Sequence, residues 1–145
     1  MKRLLPILAC GLLALLLFAC ADNAEEESQT EGLPVLLDEW KITGASGAPL
    51  APIPAGQTTF AVRNDGGTLH NLVILRTEFT ADMLPVEKSK VNEQKAGQVV
   101  GRVKDLQAGH ATSASFDLEA ARYVLICNIP GHYERGMYTT LEVAD

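Results

Sequence analysis

The chain has 145 residues, of which 47% are hydrophobic and 21% charged, so it can bury one packed core and is not a fully disordered chain. Twelve basic against 18 acidic residues give a net charge of −6, which argues against a nucleic-acid-binding protein, because phosphate binding needs a basic surface. Seven prolines and 12 glycines favour short strands joined by turns over a bundle of long helices.

Residues 1–19 have the pattern of an export signal. Lys2 and Arg3 form a basic start, and the 16 residues that follow are uncharged and almost wholly apolar. Such a run is short for a membrane-spanning helix, which needs about 20 residues. The sequence therefore predicts a leader that is removed from an exported protein.

Cys20 directly follows this leader, and the ending Leu-Phe-Ala-Cys at 17–20 resembles a bacterial lipobox. In that motif the cysteine becomes the lipid-modified first residue of the mature protein. We therefore expect lipidation of Cys20 and anchoring to a membrane. The alternative is ordinary cleavage after Ala19 or Ala21, which would release a soluble product.

An acidic segment separates Cys20 from the folded domain. It has no basic residue and no large apolar side chain, so residues 20–32 are predicted to form a lipidated cysteine followed by a flexible tether. Without the leader and the five acids of the tether, the net charge of residues 33–145 is only −3. The domain is thus predicted to span residues 33–145 and to be mildly acidic.

Short apolar or alternating segments separated by turn residues follow one another along this domain, with no helix–strand alternation and no internal repeat. This pattern predicts an all-β protein with an antiparallel β-sandwich. The polar stretch 81–95, which contains Pro85, is predicted to be a loop with a short helix. The predicted strands are 35–42, 58–63, 69–75, 98–103, 111–118, 123–127 and 137–143.

The segment 127–137 joins two of these strands and carries a thiol, an imidazole and a thioether as Cys127, His132 and Met137. A tight turn at Pro130-Gly131 can fold His132 back beside Cys127. His70 starts a distant strand that a sandwich could bring to the same place. Two histidines, one cysteine and a distant methionine are the donors of a trigonal copper site with a weak axial ligand.

Here the chain resembles the cupredoxins, the small type 1 blue copper proteins such as plastocyanin and azurin. Two stretches carry the resemblance, residues 53–71, which end in His70-Asn71, and residues 123–137. The spacing of the second stretch is most similar to that in rusticyanin and auracyanin. The resemblance implies a Greek-key sandwich of about seven to eight strands.

The resemblance also implies how each residue is used. His70, Cys127 and His132 would be the equatorial ligands of one copper ion and Met137 the axial ligand. Asn71 would donate its backbone N–H to the Cys127 sulfur. His110 matches no ligand of the family and is expected to be a surface residue.

The expected function is electron transfer in the periplasm or at the cell surface by a monomer that cycles Cu(II)/Cu(I). Redox partners would dock near His132, on an apolar patch that includes Ile129, Pro130, Tyr133 and Tyr138. The alternative is copper delivery or storage. Catalysis is not expected, because copper enzymes need further histidine ligands and this chain has only three histidines.

Overall fold

The computed structural model describes residues 32–145, so the predicted leader, Cys20 and all but the last residue of the tether lie outside the described residues. Within that part of the chain, eleven strands are joined by loops that hold a short helix, α1 (Glu93–Ala96), and 3-10 turns at Ala45–Gly47 and Tyr133–Arg135. The strands are β1 (Leu33–Asp38), β2 (Lys41–Thr43), β3 (Ile53–Pro54), β4 (Gly56–Asn64), β5 (His70–Arg76), β6 (Val86–Glu87), β7 (Lys90–Val91), β8 (Gln98–Leu106), β9 (Ala111–Leu118), β10 (Ala121–Ile126) and β11 (Tyr138–Ala144).

The strands form a sandwich of two sheets. One sheet has the order β2-β1-β4-β9 and the other the order β3-β11-β10-β5-β8, while β6 and β7 form a separate ribbon. The predicted β-sandwich is confirmed, but its sheets are mixed, because β1 runs parallel to β4 and β3 parallel to β11. Parallel neighbours need a long crossover, and the chain between β1 and β4 supplies one by passing through β2 and β3.

Two core layers flank the five-stranded sheet. Successive side chains of a strand point to opposite faces of the sheet, and in β5 and β10 consecutive side chains are apolar and buried. Both faces of these two strands are therefore covered. Leu72, Ile74 and Leu125 face the other sheet in the main core. On the opposite face, Val73, Val124 and their neighbours pack under the excursion 77–97.

The predicted strand 35–42 is interrupted. β1 ends at Asp38 and β2 begins at Lys41, so Glu39 and Trp40 form a hairpin turn. The predicted loop with a short helix at 81–95 is present as the β6–β7 ribbon followed by α1.

Candidate metal centre

The donor residues meet at one end of the second sheet. His70 is the first residue of β5, and Cys127 directly follows the last residue of β10. Because β5 and β10 are antiparallel neighbours, the beginning of one strand lies beside the end of the other. His70 and Cys127 have no exposed surface, and His132, from the loop between β10 and β11, is 9% exposed.

The three side chains form a small triangle of donor atoms. The Nδ1 atoms of His70 and His132 lie 3.2 Å apart. The Cys127 Sγ lies 3.8 Å from His70 Nδ1 and 3.5 Å from His132 Nδ1. A point equidistant from the three atoms is about 2.0 Å from each, which matches a metal–imidazole bond of about 2.0–2.1 Å and is slightly shorter than a metal–thiolate bond of about 2.3 Å.

The loop conformation accounts for the return of the chain to Cys127. Gly131 and Gly136 have φ values of +81° and +101°, which favour glycine, so the chain bends at both positions. The Met137 N–H then donates to the His132 carbonyl at 3.2 Å, and the Met137 carbonyl accepts from the Cys127 N–H at 3.0 Å. Met137 is fully buried and belongs to the same core cluster as Cys127.

Asn71 joins the two strands at the site. Its backbone N–H donates to Cys127 Sγ at 3.4 Å, which is the contact that the resemblance implies. Its side-chain oxygen also accepts from the backbone N–H of Asn128 at 2.8 Å. A donor to the sulfur stabilises negative charge there, which suits a thiolate ligand.

Burial sets the protonation of the metal-free site. It lowers the pKa of His70 and of His132, so both imidazoles are neutral near neutral pH and offer a lone pair. It raises the pKa of the Cys127 thiol, which therefore keeps its proton until a metal cation replaces it. A soft trigonal set of two imidazoles and one thiolate fits copper.

Sequence reasoning missed Glu39 and Trp40. Glu39 Oε1 lies 3.4 Å from His70 Nε2, and the Trp40 ring packs edge-to-face on His132 with centroids 4.9 Å apart. The Arg135 guanidinium covers the Trp40 ring at 4.4 Å. One local feature of the sequence pointed to this turn. Apolar and polar residues alternate only imperfectly in the predicted strand 35–42, because Glu39 and Trp40 interrupt the pattern.

Two buried asparagines organise the loops that carry the histidines. Asn64 donates to the carbonyls of Thr68 and Leu106 and accepts from Gly66 N–H, which shapes the loop before His70. Asn128 pairs with both backbone groups of Val91, which ties the ligand loop to β7.

The prediction that Tyr133 belongs to an exposed apolar patch is wrong. It is 5% exposed, and its hydroxyl donates to the Ala81 carbonyl and accepts from the Leu84 N–H. The reason is that the 3-10 turn after His132 directs this ring under the excursion 77–97, where it completes the second core layer. His110 is exposed and is not part of the donor cluster found among residues 32–145.

A β-sandwich with a buried His-Cys-His triangle and a nearby methionine at one end defines the class of the cupredoxins. His70, Cys127 and His132, together with Met137, fit a single type 1 copper site. The model of the Sulfocyanin (SoxE) domain matches residues 39–145. The chain therefore belongs to the sulfocyanin family of cupredoxins, which are generally electron-transfer proteins.

Solved structures show the same fold. Auracyanin from Roseiflexus castenholzii, in a dithionite-reduced crystal, has a TM-score of 0.54 at 20% identity, over 77% of this chain and 95% of that one. Rusticyanin from Thiobacillus ferrooxidans has a TM-score of 0.57 at 18% identity, over 76% and 75%. Auracyanin B has a TM-score of 0.50 at 25% identity, over 78% and 88%. A comparison with curated protein sequences finds no match.

The helices within residues 32–145 are all too short or too polar to cross a membrane.

Proposed function

We propose that this protein is an exported, monomeric electron carrier in which His70, Cys127, His132 and Met137 hold one copper ion. The observation that carries the proposal is the buried triangle of two Nδ1 atoms and one Sγ, whose size suits a metal ion. Copper bound there supplies a one-electron Cu(II)/Cu(I) couple.

The residues around the triangle keep the donors in place. His70 and Cys127 lie at the ends of paired strands, and Met137 is joined to Cys127 and His132 by backbone hydrogen bonds. Such a frame keeps the donor positions similar in both oxidation states. Small rearrangement is what a carrier needs, because each rearranged bond would slow the transfer.

The spectrum of the copper-loaded domain tests this proposal. We expect one copper per chain and an intense visible band from charge transfer between the Cys127 thiolate and Cu(II). Cys127→Ser should abolish the band, and a band that persists would refute the ligand set. Met137→Leu should keep the copper and raise the reduction potential, since a weak donor that favours Cu(II) is lost.

The proposed route for electrons passes His132, the more exposed histidine of the triangle. Ile129 is partly exposed and Pro130 is exposed beside it, while Glu134 and Arg135 are exposed and opposite in charge. A partner would therefore meet a small surface without a strong net field, which suits brief docking with weak salt dependence. Ile129→Lys should slow exchange with the partner and leave the spectrum intact, and unchanged exchange would contradict this route.

The proposed location is outside the cytoplasm, on a membrane that holds a lipid attached to Cys20. The leader 1–19 and the lipobox-like ending support this, and the residues up to 32 would act as a spacer. Cys20→Ala should release the protein from the membrane fraction without changing its spectrum. A parent protein that is soluble without detergent would contradict the anchor.

Copper delivery or storage is the second candidate. The buried donors speak against it, because a carrier that hands on copper needs ligands that exchange readily. A colourless Cu(I) protein that passes its copper to a chelator within seconds would favour delivery. A blue protein with fast, reversible oxidation and reduction would favour electron transfer.

A further inference from the structure

The hairpin turn between β1 and β2 places a carboxylate behind a proposed copper ligand. His70 Nδ1 faces His132 and Cys127, whereas its other ring nitrogen, Nε2, points away from them toward Glu39. Nε2 is fully buried, and no hydrogen bond of ordinary geometry reaches it among the described residues. Glu39 Oε1, at 3.4 Å, places a carboxylate oxygen beside Nε2, which favours the tautomer of the neutral ring with its proton on Nε2.

Glu39 is held at this place by the loop before β5. Its carboxylate accepts from the Gly67 N–H at 3.0 Å and from the N–H and hydroxyl of Thr68 at 2.9 Å each. Hydrogen bonds donated to a carboxylate favour its negatively charged form, and these three donors also hold it in one orientation. The carboxylate thus has a fixed position and a fixed charge.

The contact between Glu39 and His70 depends on the absence of a side chain at Gly66. A Cβ at this position would lie 2.7 and 2.8 Å from the two carboxylate oxygens of Glu39 and 2.9 Å from His70 Nε2. A Cβ on the neighbouring Gly67 would meet nothing within 4 Å. The backbone of both residues lies outside the left-handed region, so alanine is tolerated conformationally at either position.

We propose that Glu39 is a positioning residue of the copper site, which keeps the proton of His70 on Nε2, leaves Nδ1 free for the metal, and favours Cu(II) by its negative charge. The inference rests on the proposed ligand set. A metal-bound histidine is commonly oriented by a carboxylate or carbonyl on its second ring nitrogen, and such a partner makes the bound nitrogen more basic.

Glu39→Gln is the direct test. The amide oxygen would remain with the loop donors at the Oε1 position beside His70 Nε2, and the NH₂ would take the Oε2 position. The substitution therefore removes the negative charge that favours the proton on Nε2, and the tautomer protonated at Nδ1 gains. We expect the redox equilibrium constant to change at least tenfold in favour of Cu(I). For one electron this is a rise of about 59 mV in the reduction potential. Gly66→Ala should shift the potential in the same direction, because the added methyl group displaces the carboxylate.

Two matched controls separate this effect from a general change in charge or loop structure. Asp38→Asn removes the neighbouring exposed charge, and Gly67→Ala adds a methyl group where there is room. Both should change the redox equilibrium constant less than about twofold, which is under about 20 mV. A shift in Glu39→Gln no larger than in these controls would overturn the proposal.

The metal-free protein gives an independent readout. Nitrogen-15 spectra of the His70 ring should show the proton mainly on Nε2 in the parent and a marked gain of the Nδ1 form in Glu39→Gln. Unchanged tautomer populations would overturn the proposal even if no copper were bound. Failure of the ligand set is recognised separately, because it would remove the blue band from the parent protein itself.

Discussion

The two histidines of the site are held in different ways by the same hairpin turn. Glu39 places a charged carboxylate behind His70, and the next residue, Trp40, places an aromatic edge-to-face contact on His132. His70 has no exposed surface and begins a central strand, whereas His132 is 9% exposed and belongs to a loop. The two sides of the site therefore have different tasks. The His70 side sets the charge and the geometry of the site, whereas the His132 ring is covered only by the Trp40 side chain at the surface.

The loops on the two sides are anchored in the same way. Each histidine is carried by a loop with a buried asparagine, Asn64 before His70 and Asn128 before His132, that satisfies buried backbone groups. The difference between the sides therefore lies in what covers the rings and not in how the loops are anchored.

The largest expected effect comes from removing each ring in turn. His70→Gly and His132→Gly should both lose the blue band of the copper-loaded protein. Added imidazole should restore the band about tenfold faster in His132→Gly than in His70→Gly, because the space left by His132 opens to solvent past Trp40, while that left by His70 is enclosed. The rate at which the visible band returns after imidazole is added measures this difference, and equal rates would contradict the difference in access between the two histidines.

The next effect concerns the shared asparagines. Asn64→Ala and Asn128→Ala should each lower the free energy of unfolding of the metal-free protein by about 2–4 kcal/mol, because two or three buried backbone groups lose their partner. Urea unfolding measures this change. A much larger loss on one side would show that the two loops are not anchored equally.

Asn92→Ala is the matched control for these variants. Asn92 caps α1 by accepting from the Lys95 N–H at 3.2 Å and is only partly buried. Its loss should reduce the free energy of unfolding by about 1 kcal/mol. An effect as large as that of Asn64→Ala would contradict the role assigned to burial.

A smaller effect is expected from the cover of His132. Trp40→Ala should expose the His132 ring and speed oxidation of the reduced copper protein by ferricyanide severalfold, measured at high salt so that the charge of Arg135 is screened. The reduction potential should change little, in contrast to Glu39→Gln. A slower reaction would show that electrons pass through the indole and not around it.

The smallest effect lies beneath the ligand loop, where Glu93 accepts from Asn128 at 2.7 Å and from Arg102. The Arg102 guanidinium lowers the pKa of Glu93, so this pair stabilises the fold above the ordinary pKa of 4.5 and the contribution is lost as the pH falls through the lowered value. Glu93→Gln should therefore cost about 0.5–1 kcal/mol near pH 7 and progressively less as the pH falls below 4.5, as measured by urea unfolding.

Glu87→Gln is the control for that pH dependence. Its partner Lys95 and its own carboxylate are both more than half exposed, so the exchange should have a smaller effect on the free energy of unfolding than Glu93→Gln. A larger loss of unfolding free energy in Glu87→Gln than in Glu93→Gln near pH 7 would contradict this prediction. It would show that the contacts of Glu93 with Asn128 and Arg102 add no more stability than an exposed ion pair.

Much of the site could be predicted because chain connectivity brings it together. Cys127, His132 and Met137 lie within one short loop between two apolar strands, and the glycines at 131 and 136 allow the bends that fold it back. His70, 57 residues before Cys127, could be added only through the resemblance of its surroundings to the cupredoxins. The continuous apolar runs at 69–75 and 123–127 were equally informative, since both belong to inner strands that are buried on both faces.

By itself, then, the sequence determined the sandwich class, the ligand loop and the copper chemistry, because these depend on local alternation, short spacing and donor type. Only the tertiary structure decided that β1 pairs in parallel with β4, that Tyr133 points inward, and that Glu39 and Trp40 touch the two histidines. These features join segments tens of residues apart, and the alternation within a strand does not say which distant strand lies beside it. The turn at Glu39 and Trp40 acquires its role only when the packed sheets bring it over the beginning of β5, where His70 lies.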